Sequence, residues 1–339
     1  MENKEEEMLM KKIALVGYFG WGNFGDELFL KVHRQELGEA YDLFVANDLL
    51  EAPYFSRPVS EVTDEADAIL IGGGDLLNPL RISDLYWQMD FLRKPTFVFG
   101  LGVPNQPFER PRVLDYYRTF FAHENCKLVV ARDIESYTWI KKNLDPGDKL
   151  VWHPDPVCAM NRPPALPTDK GVLGVVMREH RSRSQDLSHL HDAIERAREL
   201  GYRIRHIALA TGELGEGDLA LARELAGPED EVVHSESLDE LCQEISRVEL
   251  LATIKFHGLV VATMYGVPAI AMSVTPKNRN FLRMIERPEM LVSYTNEGLK
   301  DRIHKYPARI HQRVRAQMYY GSREGYELLK EKLAESLGE

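Results

Sequence analysis

Lys255-Phe256-His257-Gly258 sets a cation, an imidazole and a glycine side by side, between an apolar run and a helical pattern. Gly266-Val267-Pro268 closes that pattern. Such a cluster puts a general acid or base beside an anion site. An isolated loop histidine is more often structural than catalytic, but here its neighbours favour chemistry. Two glycine-rich segments offer a matching surface. Tyr18 to Glu27 carries Gly20, Gly22, Asn23 and Gly25 ahead of an amphipathic run, and Gly72-Gly73-Gly74-Asp75 follows a second apolar run. Glycine lets a backbone approach an anion closely, and a following helix N-terminus presents free N–H groups. The plainer readings are a tight turn with aromatic packing for the first and a capped helix start, with Asp75 as the cap, for the second. Arg178 ends an apolar run, where an arginine can fork onto a carboxylate or phosphate; Arg181 and Arg183 read equally well as a solvated loop. Arg132-Asp133 reads either as a similar site or as an internal ion pair.

The elements that must hold these residues alternate in type. Short, nearly unbroken apolar runs at 12–17, 43–46, 68–71, 96–99 and 128–131 read as buried parallel strands, with helices at 28–37 and 135–142. The proline-rich stretch from Asn161 to Thr168 breaks the rhythm and predicts a linker over 161–170. Alternation restarts with strands at 171–177, 204–209, 232–233, 250–254 and 267–272, and helices at 189–200, 218–225, 238–247 and 259–265. The expectation is an α/β chain with a Rossmann-like, doubly wound domain over 1–160 and another over 171–308. A helix within 309–339 would pack back on the first.

A length of 339 residues suits two domains, and 44% hydrophobic residues can furnish both cores. A net charge of −11 argues against nucleic acid and against adsorption to anionic membranes. No apolar run is long enough for a membrane helix, and the acidic start lacks the layout of a signal peptide, so a cytoplasmic protein is expected. Cys126, Cys158 and Cys242 are odd in number and far apart, which fits neither a disulfide framework nor a zinc site.

Taken in order, Gly22-Asn23-Phe24-Gly25-Asp26-Glu27, Gly72-Gly73-Gly74, Gly100-Leu101-Gly102 and Ala131-Arg132-Asp133 resemble motifs of the polysaccharide pyruvyl transferases. So do His153-Pro154-Asp155-Pro156, Met177-Arg178, Lys255-Phe256-His257-Gly258, Gly266-Val267-Pro268 and Pro276-Lys277. The resemblance spans roughly 12–285 and implies two domains facing a cleft in the GT-B-like manner. It also implies an enzyme that moves an enolpyruvyl unit from phosphoenolpyruvate onto a saccharide as a cyclic ketal, in exopolysaccharide or cell-wall polysaccharide synthesis. On that analogy His257 is the acid that protonates the methylene carbon. Arg178, Lys255, Lys277, Arg132, Gly22, Asn23, Gly73, Gly74 and Gly258 contact substrate. Neither cofactor nor metal is needed. The nearby cations call for an acidic neighbour to keep His257 protonated, and Asp26 and Asp75 are the candidates. Acceptor choice would lie around 78–87 and 104–112; the acceptor's lipid or nucleotide carrier and a homo-oligomeric state stay open. The family usually has Arg-Leu-His where this chain has Lys255-Phe256-His257, which keeps the charge and loses the bidentate fork.

Three other readings compete. A GT-B glycosyltransferase using a nucleotide-sugar shares His-Gly and Gly-Val-Pro, but commonly has an acid on the helix that here reads GLVVATMY. A Rossmann dehydrogenase would want a cleaner GxGxxG and would use Asn47-Asp48. A non-catalytic binder on the same fold would fit Lys255.

Overall fold

The computed structural model describes residues 10–104, 108–179 and 186–338. The first half runs β1 (Lys12–Val16), α1 (Phe24–Leu37), β2 (Asp42–Val45), α2 (Val59–Glu65), β3 (Ala68–Gly74), β4 (Thr96–Leu101), α3 (Pro111–Ala122), β5 (Cys126–Ala131), α4 (Ile134–Asn143) and β6 (Leu150–Trp152). The second runs β7 (Val172–Val176), α5 (Ser188–Glu199), β8 (Arg203–Ile207), α6 (Gly212–Leu225), β9 (Glu231–Val233), α7 (Leu238–Arg247), β10 (Leu250–Thr253), α8 (Phe256–Tyr265), β11 (Ala269–Ala271) and α9 (Pro276–Met284), and α10 (Gln312–Leu337) closes the chain.

Two parallel sheets result, ordered β2-β1-β3-β4-β5-β6 and β11-β10-β7-β8-β9. Their central strands are buried along their length because helices cover both faces, which is why they read as continuous apolar runs. Each order reverses once, between β1 and β3 in the first sheet and between β7 and β10 in the second. At a reversal the connections leave in opposite directions and open a crevice at the strands' carboxyl ends. The two crevices are bounded by the loops after Val16, Gly74, Val176 and Thr253, the segments that the motifs occupy.

Several boundaries differ from the sequence reading, and three matter to the site. β3 continues through the glycines, and Gly74 pairs with Leu101 of β4, so Gly72-Gly73-Gly74 is strand rather than loop. α8 begins at Phe256, with Lys255 as its N-cap, so His257 and Gly258 lie in its first turn and not in a preceding loop. The helix that brings Lys277, α9, has no counterpart in the sequence reading.

The larger apolar core is continuous from one face of the first sheet, through α1 and α8, into the second sheet. α10 returns to the first half. Its Tyr326 hydroxyl meets His33 Nδ1 at 3.1 Å, and its Lys330 and Arg323 both pair with Glu36, whose side chain is 2% exposed. Ser322 donates to the Asp155 carbonyl at 3.1 Å. The three cysteines are buried and free. Among the described residues no helix is long and apolar enough to cross a membrane.

Candidate active site

A cavity of about 690 Å³ lies between the carboxyl edges of the two sheets. The first half lines it with the start of α1, the end of β3 and Arg132; the second half lines it with Arg178, Lys255, Phe256, His257 and Lys277.

His257 is delivered by the first turn of α8, and its Nε2 stands 3.6 Å from Asp155 Oδ1. Asp155 is 1% exposed, caps the short 3-10 turn that follows it, and accepts from the Val157 N–H at 3.1 Å. Burial lowers the His257 pKa, Asp155 opposes that, and Arg132 and Lys277 add to the lowering. Burial alone would raise the Asp155 carboxyl, but His257 and Arg132 outweigh it and hold it below the usual range. Phe29 and Phe256 pack edge-on against the imidazole at 5.2 and 4.9 Å. Gly25 makes the approach possible, since a Cβ there would fall 1.8 Å from His257 Nδ1. The acidic neighbour is therefore Asp155, not Asp26 or Asp75. It belongs to His153-Pro154-Asp155-Pro156, a motif to which the sequence reading gave no role.

The cations arrive already partnered. Arg132, 3% exposed, pairs with Asp75, has Nη1 3.6 Å from Asp155 Oδ2, and lies 4.8 Å over the Phe256 ring. Burial would weaken its protonation, yet Asp75, Asp155 and Asp133 together raise its pKa. Gly102 leaves room for this pair, because a Cβ there would meet Asp75 Oδ1 at 2.6 Å. Lys277 reaches across the cleft to the same Asp75 at 3.4 Å. Arg132-Asp133 is thus not a mutual ion pair: Asp133 caps α4 through the Ser136 N–H at 2.8 Å and accepts from Asn280 at 2.9 Å.

Lys255 donates to the Leu209 carbonyl at 2.6 Å and pairs with Asp218 of α6. Burial lowers its pKa, against the pull of Asp218. Asp218 also accepts from the Glu179 N–H at 3.1 Å, so one carboxylate fixes both Lys255 and the backbone beside Arg178. Arg178 lines the cavity close enough for Tyr18, Asp26 and Lys255 to feel its charge. Arg181 and Arg183 fall outside the described residues.

Asp26, in the first turn of α1, is a second acid in the cavity. Burial raises its pKa to about 7, the repulsion of Glu27 adding to this and Lys277, Arg132 and Arg178 opposing it. Gly73 and Gly74 line the cavity with φ of 85° and 121°, as does Asn23, which caps α1 by accepting from the Gly25 N–H at 3.2 Å. Gly22 and Gly258 lie outside it. A Cβ on Gly22 would sit 2.0 Å from the Thr211 carbonyl oxygen, and one on Gly258 would sit 2.7 Å from Thr253 Oγ1. Both are positions of close packing. Asn47 accepts from the Gly17 N–H at 3.3 Å and Asp48 from the Ser56 N–H at 2.8 Å, so neither borders the cavity as a dinucleotide site would require.

Solved structures of similar fold include UDP-N-acetylglucosamine 2-epimerase from Rickettsia bellii, with a TM-score of 0.60 at 10% identity over 97% of each chain. S. aureus MnaA, in a co-structure with UDP, gives 0.64 at 11% identity over 97% of each chain. The UDP-GlcNAc 2-epimerase of Neisseria meningitidis gives 0.55 at 10% identity, over 96% of this chain and all of that one. At such identities the likeness concerns the fold alone, which is GT-B-like. No curated protein matches the chain. The sequence model of one family, Polysaccharide pyruvyl transferase, matches residues 23–276, from the cap of α1 to the first residue of α9, and takes in most of the cavity lining. That match covers about three quarters of the chain, and the chain belongs to the polysaccharide pyruvyl transferase family, a family of transferases.

Proposed function

We propose that this transferase takes phosphoenolpyruvate as donor and installs pyruvate as a cyclic ketal on a saccharide. The observation that carries this is the convergence, in one cavity, of the His257–Asp155 pair with Arg132, Arg178, Lys255 and Lys277. Phosphoenolpyruvate presents a phosphate and a carboxylate, which need cations from more than one side. Lys255 has three N–H donors, of which Leu209 and Asp218 engage two, leaving one for the donor. Arg178 supplies the planar fork that Lys255 lacks.

His257 donates a proton to the methylene carbon, and the central carbon becomes oxocarbenium-like. A sugar hydroxyl adds there and gives up its proton, for which Asp26 is the acceptor suited by pKa and place. The C–O bond to phosphate then breaks, phosphate leaves with its electron pair and takes up the proton held by Asp26, and a second hydroxyl closes the ketal, its proton returning to His257. The bound donor would itself help, because its negative charge offsets the cations that now depress His257. The acid is thereby armed by the substrate it acts on. No cofactor enters this scheme.

Titration calorimetry of phosphoenolpyruvate, UDP-glucose and GDP-mannose into the wild type and Arg178→Ala tests the reading. Phosphoenolpyruvate should bind the wild type and lose affinity at least roughly tenfold in the variant. Binding of a nucleotide-sugar with no response to phosphoenolpyruvate would make the protein a glycosyltransferase and remove the role given to His257.

A further inference from the structure

The linker and α10 form a second hollow, of about 520 Å³, against the far end of α8 from His257. Arg162 of the linker donates to the Met264 carbonyl in the last turn of α8, with its guanidinium 5.7 Å over the Tyr265 ring. Arg315, from the first turn of α10, lies against Gly266, where a Cβ would be 3.2 Å from its Cζ. Arg315 Nε is buried and has no hydrogen-bond partner among the described residues. Burial first, then the charges of Arg162 and Arg309, push the Arg315 pKa down, and no carboxylate offsets them. Arg309 donates to Thr168 Oγ1 at 3.5 Å and lines a different hollow.

Capping of α8 engages Arg162 at the Met264 carbonyl but gives the Arg315 Nε no partner. The Gly266 N–H already bonds the carbonyls of Ala262 and Thr263. A helix C-terminus carries only about half a negative charge, against two facing guanidiniums. In a chain of net charge −11, two arginines, Arg162 and Arg315, face this hollow, and no carboxylate stands among its described lining residues. An arginine fork fits a phosphoryl group, and two forks from different elements fit two linked ones. Tyr265, Tyr319, Met160 and Met264 supply apolar walls beside them.

We propose that this hollow is an anion site separate from the cleft, and that it binds a diphosphate group, free or carried on a small molecule. Its occupant bridges the linker, α8 and α10, and so clamps the junction of the two halves. The site stands whether or not the donor in the cleft is phosphoenolpyruvate.

The test is calorimetry with inorganic pyrophosphate and with UDP, on wild type, Arg178→Ala and the double variant Arg162→Gln/Arg315→Gln. Binding should persist in Arg178→Ala and weaken by roughly tenfold or more in the double variant. UDP binding tighter than pyrophosphate assigns the diphosphate to a nucleotide, and equal affinity assigns it to the bare anion; either supports the site. Complete loss in Arg178→Ala, or full retention in the double variant, overturns it. Should the double variant fail to fold by circular dichroism, Arg315→Lys decides: it keeps the charge but removes the buried Nε–H and the fork. Several-fold weaker binding then supports the site, and unchanged affinity overturns it.

Discussion

His257 Nε2 and Asp155 Oδ1 face each other at 3.6 Å across the junction of the two halves, one from the first turn of α8 and the other from the chain just beyond β6. Asp155 is sealed from solvent and the His257 side chain is 12% exposed, so each strongly influences the other's charge. His257→Gln should lower kcat by roughly 10²–10⁴, as expected for loss of a general acid. Asp155→Asn removes the interaction that raises the His257 pKa, so the imidazole loses its proton at lower pH. The alkaline limb of the kcat/KM profile should therefore move to lower pH in Asp155→Asn, which a rate–pH series measures directly.

Asp218 holds the Lys255 ammonium and the Glu179 N–H together. Removing the carboxylate leaves a buried cation without its counter-charge, a loss of roughly 3 kcal/mol or more. Asp218→Asn should lower the unfolding free energy from urea titration by that amount, and Lys255→Met added to it should recover part of the loss. The donor's KM should rise in the single variant, because the backbone beside Arg178 is released.

Asp26 has a folded-state pKa of about 7 against 3.8 for the free carboxyl. The folded protein binds this proton more tightly than the unfolded chain. The stabilisation is fully present below the unfolded value and is lost as pH rises through the folded one. Asp26→Asn should therefore be more stable than wild type at pH 8.5, by on the order of 2 kcal/mol, and show little gain at pH 4. Paired urea titrations read this out. The same variant should lose ketal formation, a site kept at the expense of stability.

Gly25 and Gly20 separate geometry from backbone strain. Alanine at 25 would press a methyl group onto His257 Nδ1, so kcat should fall about a hundredfold or more as the acid is displaced. Alanine at 20, where φ is 84° and nothing lies within 4 Å, should cost roughly 1 kcal/mol of stability and leave kcat near wild type. Steady-state kinetics with thermal melts of both variants make the comparison.

The strands and the cleft were legible because buried parallel strands leave unbroken apolar runs, and ligand loops follow their carboxyl ends. His257, Arg178 and Arg132 sit at such ends, so chain order alone placed them near one another. Asp155 was not legible as a partner, since it follows a three-residue strand too short to leave a pattern and meets His257 only through the fold. Asp218 lies inside α6 and shows no local sign of its tie to Lys255. Gly22 and Gly258 show that glycine serves close packing and ligand approach alike, and sequence does not tell the two apart.

The return of α10 to the first half bears on how the protein is made. Glu36 and His33 are buried in α1, and their partners Arg323, Lys330 and Tyr326 are translated some 290 residues later. While the second half is still on the ribosome, the first holds a carboxylate without counter-charge and an open slot where Tyr326 belongs. The first half therefore cannot complete its own packing as it emerges; that waits on the last helix.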